Sequence, residues 1–153
     1  MTGDVLDYVL ANLPSPPARV LEVGAGKGEL AAALREAGYE VVAVDPSSEA
    51  PGVTRVALVD VDEPARSFDA AVAVVSLHHV DPLAESCAHL AELVAAGGRL
   101  VVEELDSGRF DELAAAGADR QLHPVAEIRD LLGAWFDLGP MELGARFVGV
   151  RKS

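Results

Sequence analysis

The stretch of sequence that decides the fold is VLEVGAGKGEL, residues 20–30. An apolar, β-branched run leads into Gly24, Gly26 and Gly28, and a helical pattern follows them. Three glycines at alternate positions let the backbone turn tightly and approach a ligand that a Cβ atom would exclude. A tight turn without a ligand would use the same glycines, so the glycines alone predict a strand, a turn and a helix.

Two carboxylates accompany this turn and indicate a nucleoside ligand. Glu22 lies near the end of the first predicted strand, and Asp45 follows the apolar run at residues 41–44. In α/β folds, ligands bind in the crevice at the carboxyl ends of the strands, where an acid about twenty positions after the glycine turn accepts the ribose hydroxyls. We therefore expect Glu22, Asp45 and the glycine turn to form one site.

The spacing of the glycines separates two classes of nucleoside. A dinucleotide fingerprint has two residues between its second and third glycines, so that a helix N-terminus can hold a pyrophosphate. Here Lys27 alone separates Gly26 from Gly28. Glu22 would also repel a pyrophosphate, whereas it suits a ligand with an ammonium group and a sulfonium. The pattern thus disfavours a nicotinamide-binding oxidoreductase.

The rest of the chain alternates between β-branched runs and helical patterns, which predicts an α/β fold. Continuous apolar runs such as residues 70–75 are typical of strands buried on both faces of a parallel sheet. No linker or repeat divides the sequence, so we expect one domain over residues 1–153. The predicted strands are 19–23, 41–44, 54–59, 68–75, 99–105, 135–138 and 143–151, and the predicted helices are 5–13 behind an Asp4 cap, 29–37, 82–96 and one that starts near Pro124.

Composition excludes several classes of partner. The formal net charge of −13 would repel nucleic acids and anionic membranes, because such binding depends on Lys and Arg at phosphates. No apolar stretch approaches the roughly 20 residues of a membrane-spanning helix. A single cysteine, Cys87, fits a reducing compartment, and we expect a cytoplasmic protein. No His, Cys or Asp spacing indicates a metal site, and Ser76 lacks the glycines of a hydrolase nucleophile elbow.

At this point a resemblance to a known family is clear. Residues 22–28 (EVGAGKG) and Asp45 resemble the first motif and the ribose-binding acid of class I S-adenosylmethionine-dependent methyltransferases. Residues 68–69, 76–79 and 97–100 follow in the order of that family. The resemblance implies a Rossmann-like, doubly wound, mostly parallel seven-stranded sheet with an antiparallel C-terminal edge strand. It also implies methyl transfer to the O, N or C atom of a small-molecule acceptor.

The resemblance assigns cofactor contacts residue by residue. Asp45 would hold the ribose, and Asp60 with Val61 would match an adenine clamp of one acid and one backbone amide. The stretch from Asp60 to Phe68 is shorter than is usual in the family, so Asp62 is an alternative acid. The other residues that the resemblance places at S-adenosylmethionine are Glu22, Gly24, Ala25, Gly26, Pro46 and Ser76.

The catalytic candidates lie after two later strands. His78 and His79 follow the strand at 68–75, where a histidine could act as a general base because its ordinary pKa is near neutrality. One of the two imidazoles could instead cap a helix or pack beneath a loop. Glu103 and Glu104 end the strand at 99–105, and alternation sends them to opposite sides of the sheet, so that one of them, with Glu103 our candidate, faces the pocket.

The acceptor site has few elements to cover it. Only the first helix and residues 106–123 are available as a lid. We therefore expect a small or exposed acceptor, or a pocket completed by a second subunit in a homodimer. A protein that binds the cofactor without methyl transfer is the main alternative function, and a nicotinamide-binding oxidoreductase is a weaker one.

Overall fold

A six-stranded, mostly parallel β-sheet forms the centre of the structure. The computed structural model describes residues 2–117 and 122–153. The order across the sheet is β2-β1-β3-β4-β6-β5. The first four strands in that order are parallel, whereas the chain's last strand runs antiparallel to both of its neighbours. The strands are β1 (Arg19–Val23), β2 (Glu40–Val44), β3 (Phe68–Val74), β4 (Val94–Glu103), β5 (Phe136–Leu138) and β6 (Arg146–Arg151).

Helices cover both faces of this sheet. One buried cluster packs α3 (Leu83–Leu93) and α5 (Val125–Leu132) against it, and a second packs α1 (Gly3–Asn12) and α2 (Glu29–Glu36). In β1, Val20 belongs to the second cluster and Leu21 to the first, because neighbouring side chains of a strand point to opposite faces. The predicted α/β class with a doubly wound sheet is confirmed. The remaining elements are α4 (Ser107–Ala115) and 3-10 turns at Leu58–Asp60 and Leu77–His79.

The prediction of a seventh strand at residues 54–59 is wrong for the described residues. Thr54 makes an isolated parallel bridge with Val44, and the chain then enters the 3-10 turn at Leu58–Asp60. A parallel strand needs a crossover of a dozen or more residues, usually a helix, to return to the same edge. The link at 45–53 is too short for that, so this segment lies beside β2 without extending the sheet.

Two helix boundaries and the place of one strand also differ from the sequence prediction. Helix α3 ends at Leu93 instead of residue 96, because buried Val94 already pairs with Phe68 as the start of β4. Thr2, not Asp4, caps α1, since its side chain accepts a hydrogen bond from the Val5 N–H. The antiparallel strand β6 lies between β4 and β5. The edge of the sheet opposite β2 is therefore β5 and not β6, the last strand of the chain.

The parallel strands bring four chain segments to one edge of the sheet. The glycine turn follows β1, Asp45 follows β2, Ser76 follows β3 and Glu104 follows β4. Among the described residues, no helix has the length and apolar character needed to cross a bilayer. The Cys87 thiol is buried within α3, and this burial raises its pKa to about 12, which suits a packing role.

Candidate functional site

The glycine turn between β1 and α2 is fixed against two neighbouring strands. The backbone N–H groups of Gly24 and Ala25 both donate to the Val44 carbonyl, at 2.9 and 3.0 Å. Gly24 has a φ of +71°, and a Cβ atom there would lie 2.3 Å from the Cβ of Ser76. Ser76 is held in turn because its Oγ donates to the Val23 carbonyl at 2.9 Å. Packing against Ser76 therefore requires glycine at position 24 independently of any ligand.

Glu22 is a buried carboxylate with an unsatisfied oxygen. The residue is 4% exposed, and among the described residues its Oε1 has no hydrogen-bond partner. Burial raises the pKa of Glu22 to about 7, although Arg35 and the backbone at Ala31 lower it, and the charge of Asp45 raises it slightly further. An acceptor left without a donor costs about 1–3 kcal/mol. This position is therefore suited to a ligand that brings a donor or a positive charge.

The cavity that Glu22 lines lies between the glycine turn and α1 and has a volume of about 260 Å³. Val5 of α1 and Val74 of β3 contribute apolar side chains to it. Its other lining residues are Gly24, Ala25, Lys27, Glu29 and Leu30. We call it the Glu22 cavity.

Asp45 is anchored at the end of β2 by two backbone donors. Its Oδ2 accepts from the Gly26 N–H at 3.0 Å and its Oδ1 from the Ser47 N–H at 2.8 Å. Each carboxylate oxygen has a further lone pair for a ligand hydroxyl. A Cβ atom at Gly26, where φ is +55°, would meet nothing within 4 Å, so the space above the turn is open. Asp45 is thus oriented beside open space and can accept two more hydrogen bonds.

An apolar cavity of about 170 Å³ lies on the other side of Gly24. Pro46 lines it, as does the segment before the first 3-10 turn, and Asp81 is the one carboxylate among its lining residues. Because Gly24 lines both cavities, they meet at the glycine turn. The other lining residues are Val23, Val44, Val56, Ala57, Leu58, Ser76, His79, Val80 and Ser86. We call it the apolar cavity.

The predicted adenine clamp lies outside this lining. Asp60 and Asp62 are exposed, and Val61 is 6% exposed with its side chain in the core. Neither Asp60 nor Val61 lines the apolar cavity, whereas Ala57 and Leu58 do. The lining residues Ala57 and Leu58 thus precede the predicted clamp residues Asp60 and Val61 by three positions.

His78 is held in a buried hydrogen-bond network. Its Nδ1–H donates to Oε1 of Glu104 at 2.7 Å, and its backbone N–H donates to Oε2 at 3.1 Å. Oε1 also accepts from the Leu105 N–H at 3.0 Å, and Glu104 is 1% exposed. The carbonyl of His78 accepts from the His123 N–H at 2.7 Å. Glu104 thus fixes both the 3-10 turn after β3 and the orientation of the His78 ring.

His79 stands closer to the open site than His78 does. It lines the apolar cavity, and its ring meets the His78 ring edge to face with centroids 4.7 Å apart. Of the two histidines that the sequence proposed, His79 therefore reaches the cavity and His78 lies behind it.

Glu103 points to the face opposite Glu104, as alternation predicts. Its Oε1 accepts a hydrogen bond from Nε of Arg146 at 2.6 Å. The Arg146 guanidinium also contacts Asp4 through Nη2 at 2.6 Å and lies over the Tyr8 ring, 4.6 Å from its centroid. Glu103 is therefore engaged in an ion pair that joins β4, β6 and α1.

Several of these residues were missed by the sequence reasoning. Ala57, Leu58 and Asp81 carry no motif, and only the shortened loop before Phe68 hinted at a shift. Arg146 acts through partners far away in the chain, which a spacing pattern does not reveal; Glu104 was named from the sequence, but its pairing with His78 was not. Among the described residues, no group of His, Cys, Asp or Glu could hold a metal ion.

Comparisons with known proteins agree with this architecture. A family model described as a methyltransferase domain matches residues 2–141. A ubiquinone biosynthesis O-methyltransferase of Xanthomonas campestris pv. campestris (strain B100) is 38% identical over 119 residues, covering 66% of this chain and 48% of that protein. This chain spans about half the length of the curated relatives it matches.

Solved structures share the fold at lower identity. A 1,6-didemethyltoxoflavin-N1-methyltransferase of Burkholderia thailandensis, crystallised with bound 1,6-didemethyltoxoflavin and S-adenosylhomocysteine, has a TM-score of 0.71 and 23% identity over 98% of this chain and 76% of its own. An S-adenosylmethionine-dependent methyltransferase of Thermotoga maritima has a TM-score of 0.75 and 20% identity, over 97% and 87%. At these identities the likeness concerns the fold.

Proposed function

We propose, since this chain belongs to the methyltransferase domain family, that it binds S-adenosylmethionine and transfers its methyl group to a small-molecule acceptor. The observation that carries the proposal is Glu22, a buried carboxylate with an unsatisfied oxygen beside the glycine turn. The two cavities that meet at Gly24 support an elongated ligand with one charged and one apolar end.

Glu22 fits the amino-acid end of this cofactor. The ammonium group brings donors and a positive charge, which is what the unpartnered Oε1 lacks. Charge-assisted hydrogen bonds are stronger than neutral ones, above all where water is excluded. A cation here would also draw the raised pKa of Glu22 back down and so keep the carboxylate ionised.

The turn and Asp45 fit the middle of the cofactor. Gly26 leaves the space above the turn open, so a ligand can approach the backbone closely. Asp45 keeps a free lone pair on each oxygen for the two ribose hydroxyls, while the Gly26 and Ser47 N–H groups hold it in place. The site can therefore bind a ribose without moving this side chain.

The apolar cavity fits the adenine. Its walls are mostly apolar, with Pro46 on one side and Ala57 and Leu58 on the other, which suits the faces of a purine. We propose Ala57 and Leu58 as adenine contacts in place of Asp60 and Val61. Asp81 is the lining carboxylate that can accept a hydrogen bond from the exocyclic amine.

When bound, the cofactor supplies a methyl group on a positively charged sulfur, which is already activated for transfer. The chain's task is then to bind and orient the two reactants, and orientation alone can contribute roughly 7–11 kcal/mol. We propose that His79, which lines the cavity, contacts the acceptor or takes up its proton, while His78 and Glu104 position the turn that carries it. Glu103 is paired with Arg146 and is proposed for a structural part.

The acceptor and the setting of the reaction are extensions of the same proposal. One relative is named for ubiquinone biosynthesis and one structural neighbour for 1,6-didemethyltoxoflavin, which supports a small-molecule acceptor with an O, N or C nucleophile. The net charge of −13 opposes a nucleic-acid or anionic-membrane substrate. The single cysteine supports a cytoplasmic protein, and we retain a single domain over 1–153 and a homodimer as proposals.

Calorimetry tests the cofactor half of the proposal. We expect micromolar or tighter binding of S-adenosylhomocysteine and no binding of NAD, and the reverse preference would refute the proposal. A screen with radiolabelled methyl donor against small-molecule panels and cell extract tests transfer. Binding without label transfer to any acceptor would instead indicate a cofactor-binding protein that is not an enzyme.

A further inference from the structure

Helix α1 forms one wall of the Glu22 cavity. Val5, in the first turn of α1, lines that cavity together with Glu22 and Leu30. The helix packs on the sheet through Val9, which is fully buried, but its first turn, with Asp4 exposed, extends to the carboxyl edge. The position of this first turn therefore sets the width of the cavity where the amino-acid end of the ligand would lie.

Arg146 holds this first turn in place. Its guanidinium joins three elements, because Nη2 bonds to Asp4 of α1 and Nε to Glu103 of β4, each at 2.6 Å, while the residue itself begins β6. The Arg146 side chain is 9% exposed and that of Glu103 is 15% exposed, so the ion pair between these two residues, the inner pair, is shielded from water. The side chain of Asp4 is 75% exposed, so the ion pair between Arg146 and Asp4, the outer pair, is open to water.

Tyr8 forms the second part of the attachment. Its ring lies under the Arg146 guanidinium, and its hydroxyl donates to the carbonyls of Val102 and Phe147, at 2.7 and 3.1 Å. Burial raises the pKa of Tyr8 to about 12, so the hydroxyl stays protonated and remains a donor. The hydroxyl thus fixes the middle of α1 to the backbone of β4 and β6, and Arg146 fixes its first turn.

We propose that Arg146 is a positioning residue that holds Val5 of α1 against the amino-acid end of the bound cofactor, through its ion pair with Asp4. The inference rests on the proposed function, because it assumes that the Glu22 cavity takes this end of S-adenosylmethionine. It assigns a role in cofactor binding to three charged residues that lie outside both cavities. It also gives Glu103 a part that is different from acid–base catalysis.

The test compares two ligands that differ in the amino-acid end alone. S-Adenosylhomocysteine carries it, and 5′-methylthioadenosine keeps the nucleoside and the sulfur but lacks it. In Arg146→Gln, the loss of a shielded charge–charge contact should weaken S-adenosylhomocysteine about ten-fold. In Asp4→Asn, where the lost partner is exposed, the effect should be about three-fold. We expect the affinity for 5′-methylthioadenosine to stay within about two-fold in both variants, since its contacts lie beyond Gly24.

Asp7→Asn is the matched control. Asp7 lies on the same helix, is exposed, and makes no ion pair with any described residue. Its variant should bind both ligands as the wild type does. Amide hydrogen exchange of residues 3–8 provides a second readout. We expect faster exchange than in the wild type for Arg146→Gln and Asp4→Asn, and an unchanged rate for Asp7→Asn.

The outcomes separate this inference from the proposed function. Equal loss of both ligands, or no loss of either in Asp4→Asn and Arg146→Gln, would overturn the positioning role and leave the cofactor proposal intact. If the wild type binds 5′-methylthioadenosine as tightly as S-adenosylhomocysteine, the cavity does not take the amino-acid end and the inference fails. A wild type that binds neither ligand overturns both.

Discussion

Replacing Glu22 by glutamine should stabilise the ligand-free protein and weaken cofactor binding. Burial raises the pKa of Glu22 from 4.5 to about 7, so the folded chain binds more protons than the unfolded chain between these values. The free energy of unfolding therefore falls as the pH rises through this window. Relative to a pH below 4.5, the loss is about 1 kcal/mol at pH 5.5 and about 3 kcal/mol at pH 8. Glutamine does not ionise, so Glu22→Gln should regain most of that free energy at pH 8.

Binding should change in the opposite direction. The proposed ammonium group pairs with ionised Glu22, so the wild type should bind S-adenosylhomocysteine more tightly as the pH rises from 6 to 8. A neutral amide in this place gives up a charge-assisted hydrogen bond, which corresponds to about ten-fold weaker binding at pH 8. The variant should also lose the pH dependence over this range.

Urea denaturation at pH 5.5 and 8 measures the first effect, and calorimetry with S-adenosylhomocysteine at pH 6 and 8 measures the second. Glu36→Gln is the control, because Glu36 is an exposed acid on α2 that has no ion pair among the described residues. If Glu22→Gln is less stable than the wild type at pH 8, the burial argument is wrong. If it is more stable but binds the ligand normally, Glu22 does not contact the ammonium group.

Four further variants test other parts of the site. Gly24→Ala should lower the free energy of unfolding by about 1–3 kcal/mol in thermal or urea denaturation, because φ is +71° and the new Cβ would meet Ser76; unchanged stability would contradict the packing described here. Glu104→Gln should lower the free energy of unfolding by about 2 kcal/mol, since an amide N–H₂ would face the donors of His78 and Leu105. His79→Gln should change the free energy of unfolding by no more than about 0.5 kcal/mol. Asp81→Ala should reduce an expected preference of about five-fold for S-adenosylhomocysteine over S-inosylhomocysteine, which lacks the exocyclic amine; an unaltered preference in calorimetry would exclude this contact.

The parts of the fold that sequence predicted depend on local patterns. The glycine turn fixes where β1 ends and α2 begins, because only glycine adopts the positive φ at 24, 26 and 28 at low cost. The strand β3, which is buried at residues 70–73, was recognisable from its apolar run, since a strand covered on both faces needs no polar alternation. The position of Asp45 directly after β2 was predicted in the same way, from the apolar run that precedes it.

The parts that failed depend on the length of a connection and on long-range packing. Residues 54–59 have β-branched character, but the link at 45–53 carries no helix to return the chain to the sheet as a full strand. In the same shortened region, Ala57 and Leu58 line the apolar cavity, whereas the predicted adenine contacts Asp60 and Val61 do not. Residue type predicted a strand at 54–59, whereas the length of the connection decided that the segment does not extend the sheet.

Glu103 and Glu104 illustrate why acids at this edge cannot be assigned from sequence. Alternation correctly placed them on opposite sides of the sheet, but it could not say which partner each would meet. Glu104 meets His78 from the preceding strand's loop, and Glu103 meets Arg146, which lies 43 positions away in the chain. Both carboxylates stand at the carboxyl edge, where catalytic groups are expected, yet among the described residues Glu103 pairs with a guanidinium and Glu104 with an imidazole and backbone N–H groups. Because these ionisable groups hold α1 and the turn after β3, the proposed methyl transfer would depend mainly on the alignment of donor and acceptor.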